Sequence, residues 1–163
     1  MMKYLMLPLL SLILLSCTSG PPAEKLFPFG VYHHQVALDV KGNKHNFTGV
    51  NKWSRDQLTL TALGAFDVTL IKFTDDLVNN KQQVYVDRNF LPLTDEKAKS
   101  YLSYLKNFYS LDRSICQGKV CRKNFYGMEF LFDLNNLNQV ERIKFTRDDV
   151  KVDIEVVGYE KIP

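Results

Sequence analysis

Apolar and polar residues alternate along much of this chain, which is the pattern of β-strands that bury one face and expose the other. Residues 150–156 show it clearly, because three valines and one isoleucine occupy every second position between charged side chains. The apolar members of residues 128–134 share one side in the same way: Met128, Phe130, Phe132 and Leu134. Roughly eight to ten such strands can be drawn along the chain, so the pattern predicts an antiparallel sheet.

Residues 93–111 depart from this alternation and show helical spacing. Thr94 suits the N-cap, and Asp95 and Glu96 suit the first turn. The apolar stripe of this helix consists of Ala98, Tyr101, Leu102, Leu105, Phe108 and Tyr109. One helix of ~16 residues is ~24 Å long and cannot cover the apolar face of so large an open sheet. We therefore expect a mainly β fold in which the sheet curls into a half-open barrel and one long helix forms its lid.

Two hairpins can be registered from the sequence. Gly42-Asn43 is a two-residue turn signal, and pairing outward from it sets apolar residues opposite one another or opposite glycine. The predicted pairs are Leu38 with Phe47, Val36 with Gly49, and Tyr32 with Trp53. In the second hairpin, "LTLTALGAFDVTL", an apolar match sets Leu60 opposite Val68. This register predicts a three-residue tip of Leu63, Gly64 and Ala65, which places a leucine where a turn is usually polar.

The first residues have the features of a secretory signal. Lys3 precedes an apolar run over residues 4–15, which is too short for a membrane span of about 20 residues. The run ends in "LLSC", which resembles a bacterial lipobox and implies that Cys17 becomes the lipidated first residue of the mature chain. An ordinary secretory cleavage near Ser16, with a free cysteine, is the alternative. Proline and small polar residues then predict a flexible tether over residues 17–28, before a single domain over residues 29–163.

The cysteine count indicates a disulfide. Of three cysteines, Cys116 and Cys121 remain when Cys17 is set aside. An even remainder in an exported chain predicts a bond between them. The spacing also matches half of a metal site, but a second pair of ligands is absent from the sequence.

Charge and motifs argue against several function classes. The net charge of +3 falls to +2 when Lys3 leaves with the signal segment, which is too weak to indicate nucleic-acid binding. His33 and His34 are adjacent on a strand and point to opposite faces, so they cannot share a metal. Asp75 and Asp76 are expected to form a turn. The sequence contains neither a nucleophile elbow nor a phosphate loop, so we predict no enzyme, no metal and no cofactor.

The order of these features resembles the LolA/LolB-like family of periplasmic proteins: a lipobox, a tether, antiparallel strands, one helix and more strands. The most specific match is "DQLTLTALGAFDVTLIKF", which is similar to the strand–"PLG"–strand unit of LolB-type receptors, with Ala62 in place of the proline. The region from "HHQVALDVKGNKHNFTGV" through Arg88 is most similar to an uncharacterised LolB-related lipoprotein family. The resemblance covers most of residues 31–159.

The resemblance implies a function in lipid handling. The expected protein is a lipid-anchored monomer on the periplasmic face of the bacterial outer membrane that binds or transfers lipids, acyl chains or lipoproteins. It implies that Leu63 contacts the membrane, and it leaves room for a periplasmic carrier protein as a partner. The expected cavity is lined by Val36, Leu38, Phe47, Leu60, Val68, Tyr101, Leu105, Phe108, Phe130 and Phe132. The alternative is a structural or assembly lipoprotein with a filled core and no ligand.

Overall fold

The computed structural model describes residues 24–89 and 94–162, apart from the side chains of Val40, Arg147 and residues 101–105. In these ranges the chain forms ten strands and one α-helix. The strands are β1 (Gly30–Val40), β2 (Asn43–Trp53), β3 (Gln57–Leu63), β4 (Thr69–Asp76), β5 (Lys81–Val86), β6 (Cys116–Gln117), β7 (Val120–Phe125), β8 (Met128–Leu134), β9 (Val140–Arg147) and β10 (Val150–Lys161). Helix α1 is Asp95–Tyr109, and short 3-10 turns occupy Ala65–Asp67 and Arg113–Ile115. No helix in these ranges has the length and hydropathy of a membrane-crossing segment.

All ten strands belong to one antiparallel sheet with the order β5-β4-β3-β2-β1-β10-β9-β8-β7-β6. Strands that follow one another along the chain are neighbours in the sheet, except β5 and β6, which lie at opposite edges. β1 pairs with β10 at the centre. In the described part of the chain, β5 and β6 are edges, so the sheet stays open. The face that carries Leu60, Phe73 and Phe132 is called the core face below, and the opposite face is called the outer face.

The predicted half-open barrel with one long helix as its lid is therefore wrong. Helix α1 has 15 residues, and the strand it contacts most is the edge strand β5. The core face, which we expected a long helix to cover, is partly covered by the segment before β1. Leu26 and Phe27, which fall in the predicted tether, are buried. The Phe27 ring lies 5.2 Å from that of Tyr109 and 6.1 Å from that of Phe132.

Among the described side chains of α1, Ala98 is buried in the first turn, and Phe108 and Tyr109 are buried at the C-terminal end. The Phe108 ring lies 4.7 Å from Phe130 and 5.8 Å from Phe132. Lys106 extends to β4, where its Nζ lies 2.6 Å from Oδ2 of Asp75, a carboxylate that is 1% exposed. At the other end of the helix, the Thr94 hydroxyl accepts a hydrogen bond from the Lys97 amide, as the capping prediction requires.

The first hairpin has a shifted register. Its turn is Lys41-Gly42 and not Gly42-Asn43, and both turn residues have positive φ angles. Val36 therefore pairs with Phe47, two positions from the predicted partner. Since side chains alternate with a period of two, a shift of two residues leaves every side chain on its predicted face.

The disulfide between Cys116 and Cys121 is confirmed, with a sulfur–sulfur distance of 2.04 Å. The two cysteines pair across β6 and β7, and Cys121 is fully buried. The bond therefore joins the short edge strand β6 to the core.

Candidate functional site

The connection between β3 and β4, residues 64–68, projects an aromatic side chain into solvent. Phe66 is 100% exposed. Its backbone lies in the left-handed region at φ 58° and ψ 30°, and Asp67 also has a φ of 58°. The amide of Gly64 donates to the carbonyl of Val68 at 2.8 Å and closes the loop. We call residues 64–68 the Phe66 loop.

The sequence around the Phe66 loop explains its form. β3 and β4 have a register shift between Ala62 and Leu63, so the strands stop pairing in order just before the loop. Gly64 lies so close to Leu70 that a Cβ built on Gly64 would be only 3.1 Å from the Leu70 side chain. Left-handed backbone at a residue other than glycine costs roughly 1–2 kcal/mol. Such strain, together with an exposed aromatic side chain, makes the loop a candidate functional element.

The structure places Leu63 differently from the prediction. Leu63 is the last residue of β3, pairs with Thr48 and Thr69, and is half-buried on the outer face. The predicted tip of residues 63–65 is therefore wrong, because Leu60 pairs with Phe73 and not with Val68. Contact of Leu63 with a membrane stays a prediction. Sequence reasoning missed Phe66, although an apolar residue in the "GAFD" connection was a usable signal.

The residues predicted to line a cavity fall into three groups. Leu60, Phe108, Phe130 and Phe132 are at most 4% exposed and form part of a filled core. Val68 belongs to the Phe66 loop and is 42% exposed. The third group, described next, is half-buried. The side chains of Tyr101 and Leu105 lie outside the described set, so their predicted role is untested.

Val36, Leu38 and Phe47 form a half-covered apolar strip on the core face. Val36 pairs with Phe47 and with Ile154, so the strip continues onto β10. These three residues lie beyond the buried cluster that contains Phe132. This strip is the part of the predicted cavity lining that still has exposed apolar surface.

A buried histidine separates the strip from the filled core. His34 is 4% exposed, and its ring stacks on that of Tyr32 with centroids 6.2 Å apart. Neither ring nitrogen has a hydrogen-bond partner in the described structure. Burial, and secondarily the charge of His33, lowers the pKa of His34 to about 4. His34 is therefore neutral near pH 7, which a buried imidazole without a counter-ion requires.

A second polar contact joins α1 to the sheet. The amide of Asn51 on β2 donates to the Tyr109 hydroxyl at 2.8 Å. Burial raises the pKa of Tyr109, and the hydrogen bond from Asn51 partly opposes this shift. Tyr109 thus stays a neutral hydroxyl whose polar end is satisfied within the core.

In residues 24–89 and 94–162, histidine, cysteine and acidic side chains do not form a group of three that could hold a metal ion.

A scan against models of known protein families finds no match, and a search of curated proteins also finds none. The likeness to LolA/LolB-type proteins therefore stays a prediction. Cys17 lies outside the described residues, so the lipid anchor also stays a prediction.

Proposed function

We propose that this protein is a lipid-anchored component of the bacterial outer membrane that contacts lipid through the Phe66 loop. The observation that supports the proposal most is the complete exposure of Phe66 on a strained loop. Moving one large apolar side chain from water into lipid is worth about 1.5–3 kcal/mol, which is roughly a tenfold to hundredfold change in an equilibrium. That is too weak to hold a free protein, but it is enough to bias a domain that Cys17 already tethers.

The second part of the proposal concerns acyl chains. The strip of Val36, Leu38 and Phe47 offers half-covered apolar surface of the kind that an acyl chain contacts. The ligand class is accordingly a lipid, a fatty acid or the acyl chains of a lipoprotein. The filled aromatic cluster around Phe108 supports a second candidate, a structural or assembly lipoprotein without a ligand.

Vesicle binding tests the membrane contact. Because the loop alone is too weak to hold a free protein, a histidine tag replaces residues 1–17 and supplies a weak tether to liposomes that carry a low density of nickel-chelating lipid, and flotation with these liposomes is measured. We expect Phe66→Ser to weaken binding to these liposomes about tenfold or more. Val78→Ser is the matched control, because Val78 is a 69% exposed apolar residue in the turn at the other end of β4. Equal binding of the Phe66 variant and wild type would refute the membrane contact.

Uptake of a fluorescent fatty acid tests the strip. Leu38→Glu places a charge on the strip and should abolish uptake while the fold survives. Ala37→Glu is the control, since Ala37 is the next residue on β1 and its side chain is exposed on the outer face. If wild type takes up no fatty acid, and mass spectrometry finds no co-purified lipid, the scaffold function is correct.

A further inference from the structure

The outer face carries a groove that borders both proposed lipid contacts but is lined by further residues that those contacts do not include. It has a volume of about 530 Å³ and runs beside the Phe66 loop. Leu63, Gly64 and Ala65 form one wall of it. Six of the other lining residues are polar or charged: Gln35, Asn46, Thr48, Arg142, Asp153 and Glu155. The remaining three are Val36, Ala37 and Phe47, where the groove borders the strip.

The strand register aligns part of this lining in a single row. Leu63 pairs with Thr48, Thr48 with Gln35, Gln35 with Glu155, and Glu155 with Arg142. The row crosses β3, β2, β1, β10 and β9. At about 4.8 Å per strand, it extends ~19 Å from an apolar end to a charged end. Neutral amide and hydroxyl groups occupy the middle.

The charged end of the groove has two carboxylates, Asp153 and Glu155, but one cation, Arg142. Nε of Arg142 lies 2.9 Å from Oδ1 of Asp153, which neutralises that pair. Glu155 is exposed, and in the part of the chain that the structure describes it has no ion pair within 4.0 Å. The groove is therefore complementary to a ligand that has an apolar group at one end and a cation at the other.

We propose that this groove binds an extended peptide segment of a partner protein, with a lysine or arginine at Glu155 and an apolar side chain against Leu63 and Ala65. A strand rises about 3.4 Å per residue, so five or six residues cover the row. A single lipid headgroup is shorter than the row, whereas peptide carbonyls and amides can pair with Gln35, Asn46 and Thr48. The inference goes beyond the proposed function, because it assigns a protein partner to the outer face.

The test uses the purified processed protein and three synthetic hexapeptides. The first is acetyl-Phe-Ser-Gly-Ser-Ser-Lys-amide, and the other two carry Gln or Glu in place of Lys. Binding is followed by NMR titration. We expect the Lys peptide to bind about three to five times more tightly than the Gln peptide, the range of an exposed ion pair, and the Glu peptide to bind more weakly still. Glu155→Gln should remove this preference, and Leu63→Ser should weaken both the Lys and the Gln peptides.

Glu129→Gln is the matched control, because Glu129 is an exposed acid that lies outside the groove on β8. It should leave peptide binding unchanged. A preference for the Lys peptide that persists in Glu155→Gln, or that Glu129→Gln also removes, would overturn the proposal. Absence of peptide binding would overturn it too. If vesicles containing phosphatidylethanolamine shift the groove residues and the peptides do not, the ligand is a lipid headgroup and the peptide assignment is wrong. None of these outcomes depends on Phe66, so the proposed membrane contact is judged separately.

Discussion

Replacing Lys106 with methionine should destabilise the domain more than any exposed ion pair does. Lys106 is the cation that faces Asp75, with its Nζ 2.6 Å from a carboxylate oxygen that is almost completely buried. The next hydrogen-bond donor to that oxygen is the Gln82 amide, at 3.4 Å. The other oxygen, Oδ1, has no partner in the described structure. Lys106→Met would therefore leave a buried carboxylate almost without compensation.

The size of the effect follows from burial. Removing one partner of a buried ion pair costs about 3–5 kcal/mol. The side chain of Lys106 is 37% exposed, so water can reach part of the site, and we expect the lower end, ~3 kcal/mol. For a domain of this size, that corresponds to a fall in Tm of about 10 °C. It is a large share of the ~5–15 kcal/mol that stabilises a typical domain.

Urea unfolding measures the effect through Trp53, the single tryptophan of the chain, whose ring lies 5.7 Å from that of Tyr109. Arg88→Gln is the control, because Arg88 lies just after β5 and makes an exposed 3.4 Å contact with Asp95, the first residue of α1, whose loss should cost less than ~1 kcal/mol. The double variant Asp75→Leu/Lys106→Met should recover most of the loss, since apolar replacement of a buried ion pair is often neutral. A cost below ~1 kcal/mol for Lys106→Met would refute the reasoning. Failure of the double variant to recover would assign the loss to packing of the lysine side chain.

Three other predictions concern stability and anchoring. Cys17→Ser should move the protein from the membrane fraction to the soluble fraction, and continued membrane fractionation would contradict a lipid anchor. The unfolded state binds a proton at His34 below about pH 6.5, but the native state does so only below about pH 4, so stability should fall as pH falls through that range. By linkage, the free energy of unfolding should fall by about 3 kcal/mol. His34→Phe should remove most of this pH dependence, which urea unfolding at pH 7 and pH 4.5 measures. Reducing the Cys116–Cys121 bond should cost only ~2 kcal/mol because the closed loop is short, and a complete loss of structure on reduction would show a larger role for the bond.

The strand assignments and the errors in register have one physical origin. Alternation within a strand is local, so the sequence shows which side chains of β8 and β10 share a face. Which partner a strand pairs with, and in which register, depends on residues far away in the chain. The predicted match of Leu60 with Val68 sets two apolar residues opposite each other, and so does the observed match of Leu60 with Phe73, so apolar matching alone does not choose the register. The observed register leaves residues 64–68 as the connection, with Phe66 in its middle.

Two neighbouring aspartates show the same limit. Asp75 and Asp76 look alike as turn formers in the sequence. Asp76 does cap its turn, and hydrogen bonds from the side chain and backbone of Asn79 lower the pKa of its carboxyl group. Asp75 instead points into the core, because the alternation of β4 places it on the same face as Phe73. Its partner, Lys106, is 31 residues away on α1, and local sequence does not indicate that contact.

By itself, the sequence determined the features that depend on neighbours a few residues apart. These are the alternating faces of the strands, the Thr94 cap and position of α1, and the pairing of Cys116 with Cys121. The tertiary structure alone decided the open sheet with β1 beside β10, the exposure of Phe66 and the burial of His34. It also decided the row from Leu63 to Arg142, which needs five strands in register. The reason is that burial and charge pairing depend on strands that are distant in the chain, and the two-residue periodicity of a strand carries no information about which strands meet.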